Sequence, residues 1–338
     1  MKEFLKRKHV YVSWRIYFIK AMGAMAYGLF ASLLVGTILN TIGQEFNISF
    51  FTDVIWPVAN QAAGAAIAIS IAYSLMAPDL VMFSSTLVGI SAYEQGGPIG
   101  VFIATIIAVE LGKLISKETK LDIIVTPVVT VLSGMFVATF IGPYIQNLML
   151  GLGNLIMFST NQQPFIMGIL VSVIVGIVLT LPISSAALCI MLSLSGLAAG
   201  AATVGCCANM IGFAVISFKD NGLEGLAAQG IGTSMLQVPN IIKNPKIFIP
   251  PIIASAILGP ISTCIFKIEN TPLGAGMGTS GLVGQIGTFN AMSSYTPSGK
   301  LFLLIIGLHI ILPALISYIV YALMRSKGLI KDGDMKLN

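Results

Sequence analysis

Two stretches carry the same polar signature, GIGTSM at residues 230–235 and GMGTSG at residues 276–281. Neither is a Walker loop, which needs a Gly-Lys-Ser/Thr end whose lysine reaches phosphate. Neither follows a strand, so a dinucleotide-binding reading fails as well. What remains is neutral hydrogen-bonding chemistry on a backbone that a ligand can approach closely. The second copy belongs to TPLGAGMGTSGLVGQIGTFN, residues 271–290, where Thr279, Ser280, Gln285, Thr288 and Asn290 carry hydroxyls and amides. Around the first copy Thr233, Ser234 and Gln237 supply the same groups, although close helix packing through small residues explains that copy equally well. Glu269 and Asn270 immediately precede the second copy in FKIENTP. A carboxylate there can accept hydrogen bonds from hydroxyls, titrate, or simply pair with Lys267. Asp79 and Glu94 stand at breaks between apolar runs, either as cavity groups or as helix-end carboxylates. His309 lies within the apolar run LLIIGLHIILPAL, and Pro313 deprives its carbonyl of a helical partner, which predicts a kink. Glu110 and Lys113 are spaced for a local ion pair on one helix face. No catalytic triad, metal set or cofactor motif assembles from the remaining residues.

The elements that hold these groups must lie in a membrane. The chain has 338 residues, 56% of them hydrophobic and only 9% charged, with a mean hydropathy of +0.93. A water-soluble domain carries roughly a quarter charged residues. The expected fold is all-α: a polytopic membrane protein of about ten crossings with re-entrant hairpin loops. The apolar runs are 17–41, 55–76, 80–94, 98–116, 121–144, 165–186, 188–216, 225–240, 247–266 and 301–324. Runs 80–94 and 225–240 are short enough to be hairpins, so eight crossings plus hairpins fit equally well. Residues 271–290 are too rich in Gly for a regular helix and too apolar for a wet loop, which predicts a re-entrant loop.

With the N-terminus inside and ten crossings, all of the 18 basic residues except Lys219, Lys267 and Lys300 fall on the inner side. That bias predicts cytoplasmic termini. The expected layout is a basic tail over 1–16, a membrane domain over 17–324 and a second tail over 325–338. Within the membrane domain a first half (17–144) is joined to a second (165–324) by an amphipathic linker at the interface (145–163). The N-terminal run is too long for a cleaved signal peptide. Segments 70–89 and 123–134 faintly echo 176–196 and 247–259, as internal repeats of transport folds do. Cys189, Cys206, Cys207 and Cys264 all lie in apolar runs and read as small buried side chains. The basic residues sit in tails and short loops, so no nucleic-acid partner is implied.

The run ENTPLGAGMGTSGLVGQIGTF after the ninth apolar segment, within this layout of spans and glycine-rich loops, resembles the membrane-embedded EIIC component of phosphotransferase-system sugar permeases. More narrowly it is similar to the compact branch that includes the perfringolysin-regulator type. The resemblance covers nearly the whole chain. It implies a homodimer in the bacterial inner membrane and a sugar or polyol bound between re-entrant loops. It also implies an elevator-like movement of the binding domain and phosphorylation of the sugar by a separate EIIB protein, itself served by EIIA. Glu269 with Asn270 would fill the place of the acidic loop residue near the sugar. Residues 1–338 contain no phosphocarrier domain, so this chain would translocate while a partner transfers phosphate. Two other readings remain open: a membrane regulator or sensor that keeps the fold, and a proton-coupled transporter using Glu269, Asp79 or His309.

Overall fold

The computed structural model describes residues 2–11 and 13–337. Among these the chain is helical, and its one extended pairing is an isolated bridge between Gly196 and Asn270. Nine helices frame the description: α1 Ile16–Phe46, α2 Phe50–Ser74, α3 Asp79–Ile115, α4 Asp122–Thr160, α5 Pro164–Thr180, α6 Gly196–Ile216, α7 Pro245–Phe266, α8 Val283–Met292 and α9 Ser298–Ser326. Among the described residues, 7 helices are long and apolar enough to cross a membrane: all of these except α5 and α8. Helices satisfy their own backbone groups, which is the requirement for crossing hydrocarbon. The chain forms two compact units, one ending at Leu148 and the other beginning at Met149. The stretch expected as a linker, 145–163, is helical as far as Thr160, as the end of α4.

In the first unit, α3 folds back on itself. Gly97 takes φ 57°, ψ −154°, a conformation open to glycine and costly for other residues. Val81 in the first arm meets Gly112 in the second, and Gly134 of α4 lies against both Val88 and Ala108. The runs 80–94 and 98–116 are therefore two antiparallel arms. Each arm is about 18 residues, or about 27 Å, long. Gly64 of α2 and Gly89 of the first arm face each other so closely that neither site has room for a β-carbon. At one end, Lys113 Nζ donates to the carbonyls of His9 (2.9 Å) and Leu75 (3.1 Å) and pairs with Glu110 at 3.0 Å. The i, i+3 pair read from the sequence is thus formed. Arg7 and Lys8 reach Glu118 at 2.7 and 2.6 Å. The hydrogen bond from Lys8, with the Arg7 charge beside it, holds the Glu118 carboxyl below its ordinary range.

In the second unit, α6 is the buried axis. Its small residues serve close packing: Gly205 takes the Ser172 carbonyl and Gly200 the Ile268 carbonyl where side chains would stand. Helix α5 runs parallel to α6, since Ser172 meets Gly205 while Gly176 and Thr180 meet Asn209. Residues 181–195, with the short helix Ser185–Met191, carry the chain back. The runs 165–186 and 188–216 are therefore not consecutive antiparallel crossings.

Run 225–240 is not one continuous helix either. Lys219 pairs with Asp332 at 2.7 Å, while Asn240 and Asn244 reach Lys336 and Asp334. Both flanks thus meet the segment that follows α9. Gly222 at φ 60°, ψ −155° and Pro239 interrupt the helix that a crossing would need. Lys219, expected opposite the C-terminal tail, shares its end. Cys189, Cys206 and Cys207 are buried, but Cys264 is exposed, because the outer face of α7 is turned away from the unit's core.

Candidate functional site

The glycine-rich stretch leaves the end of α7 and returns to the start of α9, and its flanks touch. The Glu269 N–H donates to Met292 Sδ at 3.4 Å, and the half-buried Glu269 carboxylate is close enough to act on the Tyr295 hydroxyl. Burial, reinforced by that carboxylate, raises the Tyr295 hydroxyl above its ordinary value. Between the flanks the chain follows α6 inward. Asn270 bridges Gly196, Thr203 Oγ1 donates to the Gly274 carbonyl, Gly278 rests on Cys206, and Thr279 Oγ1 donates to Met210 Sδ at 3.4 Å. From Gly200 to Met210 is about 15 Å along a helix. Helix α8 then carries the chain back.

The other copy reaches α6 from the opposite end. Gly230 lies 3.7 Å from Ala214 and Ile211, measured from where a β-carbon would stand. Ser234 Oγ hydrogen-bonds Thr180 Oγ1 at 2.8 Å, and Thr180 in turn donates to Asn209 Oδ1 at 3.4 Å. The turn Ala228–Gly232 packs against Ser280–Leu282. The two Gly-x-Gly-Thr-Ser stretches therefore meet beside the middle of α6, having come from opposite ends. In the second copy the signature has a packing cause, since Gly276 and Gly278 have no room for a side chain, whereas a β-carbon at Gly230 would sit at ordinary contact distance. Gly278, at φ 55° with Cys206 Cβ 2.7 Å from its missing β-carbon, shows the requirement best.

The candidate groups divide by how their hydrogen bonds are used. Asn270 is buried and committed: Nδ2 donates to Thr203 Oγ1 (2.6 Å) and the Gly284 carbonyl (2.9 Å), and Oδ1 accepts the Thr271 N–H at 2.7 Å. Gly274 and Gly287 crowd that amide with no room for a side chain. Thr233 Oγ1 accepts the Met235 N–H at 3.1 Å and caps a short 3-10 turn. Gln237 Nε2 donates to Gln229 Oε1 and to the Met335 carbonyl, both at 2.9 Å, and its Oε1 accepts from Asn240. The Gln285 amide, oriented by its surroundings, spans the loop to the carbonyls of Gly278 and Leu282 at 3.3 Å. Ser280 Oγ, Thr288 Oγ1 and both ring nitrogens of His309 are buried with no hydrogen-bond partner. Each such orphan costs about 1–3 kcal/mol unless something fills it.

His309 sits in a π-helical turn, Gly307–Ile311, directly before Pro313, which is how the expected distortion is realised. Asn290 is exposed near the end of α8. Asp79 and Glu94 belong to the first unit and are exposed, Asp79 in the first turn of α3 where its charge suits the helix N-terminus.

Sequence reasoning missed the polar groups that hold the meeting point: Thr180, Asn209 and Ser255, with Asn209 Nδ2 donating to Ser255 Oγ at 3.2 Å. The available signal was Asn209 itself, a lone amide within the apolar run CCANMIG. The assembled donors and acceptors are neutral hydroxyls and amides, a set that suits an uncharged, hydroxyl-bearing ligand.

No curated protein and no solved structure matches this chain. The family model described as "Phosphotransferase system, EIIC" matches residues 19–337. A match over nearly the whole length, on a chain built of apolar helices long enough to cross a bilayer, makes this a multi-pass membrane protein of the phosphotransferase-system EIIC family.

Proposed function

We propose that the chain is the translocating subunit of a sugar phosphotransferase system, taking a neutral sugar or polyol where the two Gly-x-Gly-Thr-Ser stretches meet. The observation that carries the reading is Ser280: a hydroxyl buried at that meeting point and left without a partner. Thr288 and His309 offer further unpaired groups in the same unit, and the half-buried Glu269 stands just before the glycine-rich loop. Asn270, Thr279, Gln285, Thr233, Ser234 and Gln237 hold the loops in shape, so ligand contact falls mainly to the orphaned groups. Asn290, Asp79 and Glu94, being exposed, contribute at most to the approach.

The bilayer arrangement that goes with this reading has eight crossings: α1, α2, both arms of α3, α4, α6, α7 and α9. Residues 164–195, 217–244 and 267–297 enter and return. In the second unit Lys219, Lys243, Lys246 and the four basic residues from Arg325 onward then share one end, and Lys267 and Lys300 the other. That bias supports cytoplasmic tails. The family reading further implies a homodimer in a bacterial inner membrane and separate EIIB and EIIA partners that phosphorylate the arriving sugar.

The test is sugar-dependent thermal stabilisation of the purified protein, read by reaction of its buried thiols as it melts, with Cys264→Ser as background. One sugar of a panel should raise the melting temperature of the parent, since a ligand that binds only the folded state stabilises it. Ser280→Ala and Thr288→Val should melt within a degree or two of the parent and lose that rise. Uptake into proteoliposomes should then require phosphoenolpyruvate and the cytosolic phosphotransferase proteins. Uptake driven by a pH gradient alone would move the protein to proton-coupled transport. A folded protein that no sugar stabilises would sink the reading.

A further inference from the structure

Residues 329–337, beyond α9, lie in a groove that reads their backbone. Asp220 accepts the N–H groups of Gly333 (2.9 Å) and Met335 (3.2 Å), and Asn221 Oδ1 accepts that of Leu337 at 2.7 Å. The intervening amides of Asp334 and Lys336 bond back to the carbonyls of Lys331 (3.2 Å) and Gly333 (3.3 Å), so the tail is held as tight turns, with Gly333 at φ 86°. The carbonyls are read from the same groove: Met335 by Asn221 Nδ2 (2.8 Å) and Gln237 Nε2 (2.9 Å), Lys336 by Asn240 Nδ2 (3.0 Å). The Met335 side chain, 1% exposed, fills an apolar socket with Ile330, among Phe213, Ile216, Ile247 and Tyr321. Ion pairs from Lys219 and Arg325 to Asp332, at 2.7 and 2.6 Å, close the entrance.

The groove is continuous with the loop of the first Gly-x-Gly-Thr-Ser stretch. Gln237 Nε2 also donates to Gln229 Oε1, and Gln229 Nε2 donates to Ser217 Oγ at 2.8 Å. Gln229, Gln237 and Asn240 are all buried. Their amide chain depends on the Met335 and Lys336 carbonyls as acceptors, and a buried amide that loses its acceptor is costly. Departure of the tail therefore destabilises the arrangement of residues 228–240 that meets Ser280.

We propose that the groove of Asp220, Asn221, Gln237 and Asn240 is a peptide-binding site which the chain fills with its own residues 329–337, and that this occupancy latches the 228–240 loop. The ligand class is a turn-forming peptide with a glycine at the turn and a methionine-sized apolar side chain at the socket. Any partner that captures the tail and leaves the groove empty unlocks the loop. The latch is independent of which solute the site takes, and its test requires no transport.

The test is hydrogen–deuterium exchange on the full-length protein in lipid nanodiscs. In the parent, the amides of Gly333, Met335 and Leu337 should exchange at least a hundredfold more slowly than free peptide. Met335→Glu should speed them at least tenfold and speed residues 228–240 as well. A synthetic peptide of residues 329–338, in excess, should restore protection of 228–240 in Met335→Glu, whereas the same peptide carrying Met335→Glu should not. Asp220→Ala, which removes two backbone acceptors from the groove and keeps the socket, should speed both segments likewise without rescue by the added peptide, with unreactive Cys206 and Cys207 reporting an intact core in both variants. Free-peptide exchange of the tail in the parent would overturn the proposal. So would a released tail with unchanged exchange at 228–240, or failure of the added peptide to restore protection in Met335→Glu.

Discussion

Asn270 and Ser280 lie ten residues apart in one loop and are used in opposite ways. Asn270 spends its amide on Thr203, Gly284 and Thr271 and so ties the loop to α6 and α8, whereas Ser280 spends its hydroxyl on nothing. Removing a buried group that others depend on leaves partners unsatisfied, while removing an orphan does not. Asn270→Ala should therefore cost about 1–3 kcal/mol, seen as earlier thiol exposure on heating, while Ser280→Ala stays near the parent. Gly278 gives a second contrast at this scale. Its φ of 55° and the Cys206 β-carbon 2.7 Å from its own missing one predict that Gly278→Ala costs about 1–3 kcal/mol, through strain and overpacking together. Gly299 has an ordinary conformation and open space around it, so Gly299→Ala should melt within about 0.5 kcal/mol of the parent. Equal effects of the two glycine substitutions would contradict the crowded contact between the loop and α6. The residue types at these sites were visible in the sequence. Which of them had partners was not, because a partner such as Thr203 lies far away along the chain.

Helices here are defined as much by their interruptions as by their apolar runs. Gly97 divides α3 into antiparallel arms, and Gly222 turns 218–243 back toward its own end; both take nearly the same left-handed conformation. Run lengths left both 80–94 and 225–240 open between a crossing and a hairpin. The structure keeps two full helical arms in the first case and a broken, returning segment in the second, because a glycine permits reversal without requiring it and the surrounding contacts decide. At the element scale the C-terminal tail also carries a pH dependence. Asp332 is held below its ordinary value of 3.8 by the hydrogen bond from Lys219, with Arg325 adding its charge. A carboxyl lowered in the folded state contributes stability above its unfolded value and loses it as pH falls through the folded value. Tail docking should thus be constant across neutral pH and weaken below 3.8, read as growing mobility of a spin label at Lys331→Cys. Mobility that rises instead between pH 5 and 7 would point to a different group.

At the scale of the whole molecule, the positions of the basic residues test the threading. Single cysteines replacing Lys219, Lys243 and Lys300 in a Cys264→Ser background should separate cleanly. Lys300→Cys should react with an impermeant maleimide in intact cells, while the other two should react only after permeabilisation. Labelling of Lys219→Cys from outside would restore the ten-crossing arrangement and reject the return of 217–244. Composition alone settled that the chain lives in a bilayer, since 9% charged residues cannot cover a soluble globule. The glycine-rich run after the ninth apolar segment was enough to suggest the family that the match over residues 19–337 establishes. Helix content was equally legible, because hydrocarbon leaves the backbone few alternatives. Only the tertiary structure brought residues 230–234 and 278–282 to one point on α6, spent the Asn270 amide on the scaffold, left Ser280 unpaired and seated Met335 beneath the 228–240 loop. Hydropathy records how well each residue tolerates lipid. It carries no information about which residues, distant in the chain, take up one another's hydrogen bonds.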